Sequence, residues 1–356
     1  PSKWCSGAMA LTSQLALPEA MAEVDHRNNL TALRWFAACL VLYGHAFVFL
    51  GLPEPLFLQW VPLGPLGVYI FFAISGYLVS QSWDRDPHLF RFLQRRALRI
   101  FPGLAVCTIL CVMVLGPLLT TLDLKTYFSN EHTHGYFTNI ALYITYHLPG
   151  VFATNRLAHA VNGSLWSLPV EFFMYLLLAV LGLCRLNKWG MAVVALLFMA
   201  ANIFWAMQTP DQVVIYRTDA RQVAFCGVYF FMGAAIYKFN VQRWFNLSNV
   251  CIAFIIWLAF SFNRDIFNMA SWLILPFLVM AFGLSKNNFL SRLTPTDYSY
   301  GIYIYAFPVQ QSLVSFWPQM PLVPYLLSTL TIRIALAAAS WHFVEKPALK
   351  HKPFRG

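Results

Sequence analysis

The stretch NLTALRWFAACLVLYGHAFVFLG, residues 29–51, is apolar throughout except for two ionisable side chains, Arg34 and His45. Its length and apolarity predict a helix that crosses a bilayer. Successive helical residues turn by about 100°, so eleven residues bring His45 to within about 20° of Arg34. The two share one face, ~16 Å apart along the axis. An ionisable group inside a bilayer costs on the order of 2.5–3.5 kcal/mol even on the gentlest scale. Two on one face predict a stripe turned towards a polar interior. A snorkelling arginine with a hydrogen-bonded core histidine would give the same spacing.

The rest of the chain has the same character. It is 59% hydrophobic and 11% charged, which excludes an ordinary soluble domain. No period-two pattern with a polar lumen face occurs, which argues against an outer-membrane barrel. The expected fold is all-α, about ten transmembrane helices around a central polar cavity. The spans fall near 31–51, 65–83, 101–120, 165–184, 189–207, 222–239, 247–262, 268–284, 297–317 and 323–343. Segment 136–152 is apolar enough to enter the membrane partway. If it crosses, the later spans reverse.

Charge placement decides that question. With ten spans, one side carries seventeen Lys and Arg residues, including Arg85, Arg91, Arg95, Arg96, Arg99, Lys238, Arg292 and Lys352. The other side carries five: Lys125, Arg156, Arg217, Arg221 and Arg264. This bias predicts cytoplasmic termini and leaves 136–152 re-entrant or interfacial. The formal charge of +10 follows from it and suits anionic lipid, not nucleic acid. Location in a bacterial inner membrane is expected. Residues 1–28 form a polar N-terminal cytoplasmic segment, part of which reads as appended sequence. No cleavable signal peptide is expected there. A single membrane domain covers 29–348, and 349–356 is a basic cytoplasmic tail.

The seven cysteines are scattered without metal spacing and read as free thiols. No metal site is expected, since His132 and His134 lack carboxylate support. The connection DRDPHLFRFLQRRALRIFPG, 84–103, can open a helix at Asp86-Pro87. Arg91, Arg95 and Arg99 then recur every four residues, with Arg96 beside them. One reading is an interfacial helix held by lipid phosphates. The other is a site for a phosphate-rich ligand, which the planar arginine fork suits. In span four, Glu171 lies at a depth comparable to His45. The two are expected to pair, with the carboxylate orienting the imidazole. Alternatively Glu171 is protonated and bonded to a neighbouring helix. In span nine, Tyr298, Tyr300, Tyr303 and Tyr305 mark an interface or a polar cavity, and Pro308 predicts a kink. Glu345-Lys346-Pro347 reads as a helix stop.

Six ordered motifs together resemble the acyltransferase-3 family of integral-membrane acyltransferases, especially bacterial polysaccharide and O-antigen O-acetylases. Arg34 and His45 match the first-span signature. GVYIFFAISGYLV (67–79) and RFLQRRALRIFP (91–102) match the second span and the basic entry to the third. NGSLWSLPVEFFMY (162–175) is the most specific match, followed by DYSYGIYIYAFPVQQ (297–311); HFVEKPALK (342–350) is similar to the terminal element. The resemblance implies transfer of acetyl from acetyl-CoA to a hydroxyl of an envelope or exported glycan. His45 would serve as general base or as a nucleophile that carries the acyl group, with Glu171 supporting it. Arg34, Arg95, Arg96 and Arg99 would bind the donor. Trp166, Ser167 and Tyr303 are candidate acceptor contacts. Ala306 stands where many members carry a histidine, so no role is transferred to that position. Lipids and polysaccharide-assembly proteins are the expected partners. Two rival activities remain open: transfer of another acyl group such as succinyl, and proton- or anion-coupled transport. A third reading is a scaffold for polysaccharide synthesis.

Overall fold

The computed structural model describes residues 28–209, 211–285 and 288–353. All ten predicted segments are helical. They are α1 (Leu30–Leu50), α2 (Leu63–Arg85), α3 (Leu89–Leu119), α4 (Ser167–Leu183), α5 (Lys188–Ala206), α6 (Ala220–Lys238), α7 (Leu247–Phe262), α8 (Arg264–Gly283), α9 (Ser299–Phe316) and α10 (Leu322–Leu349). Among the described residues, seven helices are long and apolar enough to cross a membrane. Those seven are α1, α2, α3, α5, α8, α10 and α4 with its preceding turn from Gly163. The other three have sequence reasons for falling short. α7 is short, α6 carries Arg221 and Lys238, and α9 carries five tyrosine or glutamine side chains inside the core. The chain is thus an all-α, multi-pass membrane protein. Two antiparallel pairs, Leu56–Phe57 with Val61–Pro62 and Val214–Ile215 with Thr218–Asp219, are confined to connections.

The centre of the bundle is α2. Of its most apolar stretch, 72% is buried, against 22% in α5 and α10, which present broad apolar faces outward. α2 packs chiefly on α6 and α1. Its crossing with α6 depends on two glycines. A Cβ on Gly76 would overlap the Phe230 carbonyl, and one on Gly233 would overlap the Ala73 carbonyl. Small residues let membrane helices approach to backbone contact, where dispersion replaces the missing hydrophobic drive. Around this pair, α1 packs on α9 and α10, while α4 packs on α3, α2 and α6.

Three expected helix boundaries are corrected. Asp86-Pro87 does not open a helix, because α3 starts at Leu89 and is capped by His88. The Asp86 carboxylate is engaged instead by Arg91 and Arg95. The arginine run and span three form one continuous helix, with Pro102 inside it. Glu345-Lys346-Pro347 does not stop α10. A π-helical turn at Trp341–Glu345 absorbs the proline, and the helix continues to Leu349. Pro308 sits within an unbroken α9.

Segment 136–152 forms a 3-10 turn, Tyr136–Ala141, followed by irregular chain. It is organised by Asn139, which donates to the Thr145 carbonyl at 2.9 Å and accepts from its amide at 2.7 Å. Residues 151–162 are tied to α9 by Gln311, which donates to the carbonyls of Leu157 and Ala160 at 2.8 Å. Of the free cysteines, Cys107, Cys111 and Cys226 are buried, whereas Cys184 and Cys251 are exposed. Cys5 and residues 1–27 lie outside the described residues, as do 354–356.

Candidate active site

A cavity of about 520 Å³ opens where α2 ends and α3 begins. That volume lies within the usual range for small-molecule sites. On α2 its lining runs from Val68 to Arg85, ~26 Å of helix at the usual rise. It is therefore elongated along the bundle axis. α3 contributes Arg95, Arg96 and Arg99; α4 contributes Ser167, Glu171 and Tyr175; α9 contributes Ser299, Tyr300 and Tyr303; α1 contributes Arg34. Seven of the nine site residues expected from sequence thus meet around one space. Lys352 and Pro353 also line it, so the basic tail is part of the site wall.

The lining is polarised along its length. Arg34, Arg85, Arg95, Arg96, Arg99 and Lys352 supply six cations, against two lining carboxylates, Asp86 and Glu171. The cations gather towards the mouth. Asp86 there accepts from Arg91 at 2.5 Å and from Arg95 at 2.6 Å. Those hydrogen bonds, Arg91 first, hold its carboxyl well below the usual carboxylate range. Asp297, at the entry to α9, takes both Arg34 and Arg99 on one oxygen at 2.7 Å each. Arg96 is different. Among the described residues it has no carboxylate partner, only a 3.4 Å bond to Ser82 Oγ. Its guanidinium lies over the rings of Phe92 and Tyr175 at 5.9 and 5.8 Å. The Nε atoms of Arg95 and Arg96 are buried without a partner. Desolvation, with Arg99, Arg96 and Arg95 close by, pulls the Lys352 ammonium below its ordinary value. Unpaired donors and crowded like charges fit an anionic ligand at the mouth.

Deeper in, the wall changes character. Glu171 accepts from Ser75 Oγ at 3.2 Å and from the Tyr175 hydroxyl. At the inner end, Ser167 Oγ and the Tyr303 hydroxyl lie 2.6 Å apart, and Tyr303 donates to the Ser164 carbonyl at 2.9 Å. Phe71 and the hydroxyl-bearing side chains make this end uncharged apart from Glu171.

His45 does not line the cavity, and the expected Glu171–His45 pair is not formed. Both residues do lie within the bundle, but α4 packs on α3, α2 and α6, while α1 packs on α2, α9 and α10. His45 is instead edge-on to Phe307, ring centroids 5.6 Å apart, and to Phe49 at 6.2 Å. Among the described residues, its buried Nδ1 has no hydrogen-bond partner. Phe307 is one turn beyond Tyr303 on α9 and packs where a Cβ on Gly163 would be. Trp166 is half-buried beside this turn but does not reach the cavity.

Sequence reasoning missed several residues. Ser75, Ser82 and Tyr175 gave no signal, being ordinary in apolar helices. Asp297 carried one: an acidic residue at a span entrance on the same side as Arg34. Arg333 carried another, an arginine in mid-span. It is fully buried and reaches only the Ala38 carbonyl at 3.4 Å and Cys39 Sγ at 3.8 Å. Among the described residues no group of three His, Cys, Asp or Glu side chains is placed to hold a metal.

The acyltransferase-domain family profile matches residues 27–341. The chain belongs to the acyltransferase-3 family. It is similar to an O-acetyl transferase of Shigella phage Sf6, 33% identical over 333 residues, covering 90% of this chain and 96% of the relative. It is also similar to nodulation protein 10 of Rhizobium leguminosarum bv. viciae, 32% identical over 367 residues, covering 91% and 94%. No solved structure matches. The protein is a membrane O-acyltransferase, and the transporter and scaffold readings fall with that assignment.

Proposed function

We propose that this acyltransferase takes an acetyl group from cytoplasmic acetyl-CoA and places it on a hydroxyl of an envelope or exported glycan. The observation that carries the reading is the polarised cavity. An acyl-CoA is anionic at its nucleotide end and nearly neutral along the thioester arm. Arg96, Arg99, Arg95 and Lys352 would hold the phosphates at the mouth through charge-assisted hydrogen bonds. Arg34 sits beside them. The neutral inner end, with Ser75, Ser167 and Tyr303, would receive the arm. Glu171 disfavours phosphate there by its charge, which enforces one orientation. The acetyl group named in the phage relative supports acetyl as the acyl unit.

The positive-inside bias supports ten spans with cytoplasmic termini, and so a mouth open to the cytoplasm in an inner membrane. His45, beyond the inner end of the cavity, would act on the acceptor hydroxyl as general base, or carry the acyl group on a ring nitrogen. Trp166 lies on the same outer side and would contact the acceptor.

Mass spectrometry of envelope and secreted glycan from cells with and without the chain tests the reading. The expected result is glycan that carries acetyl only when the chain is present. Unchanged glycan overturns the proposal, and a succinyl adduct would reassign the acyl group.

A further inference from the structure

We infer that Asp297 is a positioning residue for the donor site, holding Arg34 and Arg99 in register across two helices. The inference rests on the donor-site reading given above. One carboxylate oxygen of Asp297, Oδ2, accepts from Arg34 Nη1 and from Arg99 Nη2, each at 2.7 Å. The other, Oδ1, accepts from the Ser299 amide at 3.2 Å and from the Ser299 hydroxyl. All four donors to this carboxylate are therefore accounted for, and three elements, α1, α3 and the start of α9, meet on it. The carboxylate is only 16% exposed, and the two arginines 24% and 26%. Arg34, Arg99 and Ser299 line the cavity, whereas Asp297 stands behind them. It touches the ligand space through its partners.

The arrangement has a consequence of unusual sign. Two guanidiniums brought to one oxygen repel each other at short range, and the shared carboxylate offsets that repulsion. Removing that carboxylate adds a net positive charge to an anion site. By charge alone, binding of a phosphate-bearing ligand should tighten. By positioning, it should weaken, because Arg34 and Arg99 separate and their forks lose alignment. The two accounts predict opposite directions for one substitution.

The probe is CoA, measured by calorimetry on the detergent-solubilised full chain, with the unfolding midpoint recorded in parallel. Asp297→Asn keeps the shape and removes the charge. We expect at least a tenfold loss of CoA affinity with a dissociation rate that rises, at an unfolding midpoint close to wild type. Asp297→Glu restores the charge one methylene further out and should recover part of the affinity, which a general packing defect would not. Ser299→Ala leaves every charge in place and frees Oδ1; a smaller loss in the same direction is expected, and it serves if Asp297→Asn fails to fold. CoA binding to Asp297→Asn that equals or exceeds wild type overturns this inference alone. In Ser299→Ala, binding equal to wild type does so where Asp297→Asn cannot be made. A wild-type chain that does not bind CoA overturns the donor-site reading, and this inference with it.

Discussion

Adjacent arginines with opposite commitments give the sharpest test of the donor site. Arg95 and Arg96 are neighbours on α3 and both line the cavity. Arg95 is bound to Asp86 at 2.6 Å, with its side chain 12% exposed. Arg96 has no carboxylate partner among the described residues and rests on two aromatic rings. Replacing either with alanine removes one positive charge from nearly the same place. The long-range electrostatic loss is then almost equal in the two variants, and their difference isolates the direct contact. A hydrogen bond to a charged group contributes about 1.5–3 kcal/mol when shielded from water. Arg96 stands at a mouth, so the lower end applies. That is about a tenfold difference in affinity. Isothermal calorimetry with CoA on Arg95→Ala and Arg96→Ala should show the larger loss for Arg96→Ala. Arg95→Ala should instead lower the unfolding midpoint, because it removes part of the tie between the end of α2 and the first turns of α3. Equal losses, or a larger loss for Arg95→Ala, would show that the cluster acts as a diffuse charge, as a lipid anchor would.

Three further outcomes follow from the same geometry. His45→Ala should abolish acyl transfer while leaving CoA affinity unchanged, since His45 does not line the cavity; a matched loss of both would place His45 in the donor site after all. Gly76→Val should lower the unfolding midpoint or the yield of folded protein, because its side chain would meet the Phe230 backbone, and overpacking of this kind costs typically 1–3 kcal/mol; wild-type stability would mean that α2 and α6 do not cross so closely. Asp86→Asn should be less stable than wild type at neutral pH by a margin that holds down to about pH 4, the ordinary carboxylate pKa. Below that the margin should shrink, since a carboxylate with a depressed pKa in the folded state loses its contribution only as pH falls through that value. Thermal melts of both proteins across the acid range would reveal it, and a margin independent of pH would contradict it.

Much of the fold was legible because apolar length is a local property. Eight of the ten helices were readable within a few residues, α3 starting and α10 ending well outside their expected spans, and so was the stripe carrying Arg34. The arginines of α3 were legible as a face because their spacing is fixed by the helix itself. Proline was misread in two places for one reason. Pro87 and Pro347 were weighed as local helix signals, but packing decides where a chain in a membrane bends. At Pro347 a π-turn accommodates the ring, and at Asp86-Pro87 an ion pair holds the corner. The pairing of Glu171 with His45 failed at a different level. Sequence gives the depth of a residue along its own helix. It does not give the order of helices around the bundle. Two residues at comparable depth were joined, although Glu171 bonds Ser75 and Tyr175 while His45 packs on Phe49 and Phe307.

That separation shapes the chemistry. The cationic mouth and the imidazole lie on opposite sides of a small barrier made by Tyr303, Ser167, Ser164 and Phe307. Tyr303 is held by two oxygens, and the Phe307 ring fills the space left by Gly163 and covers His45. Tyr303 and Ser167 line the cavity and Phe307 contacts the His45 ring, so a thioester bound at the inner end as proposed would meet that ring only if these groups rearrange. The parts are suited to that. The Tyr303 hydroxyl can exchange its bond to the Ser164 carbonyl for one to an entering carbonyl at little net loss, since one hydrogen bond replaces another. Phe307 needs only a rotation about its side-chain bonds to uncover the imidazole, whose Nδ1 has no partner to give up. A barrier of this kind also keeps water from joining the two sides in the absence of donor. Hydrolysis of the thioester and leakage of protons across the membrane would otherwise compete with transfer. The closed arrangement would thus suit the proposed reaction, in which donor and acceptor approach from opposite faces of one membrane.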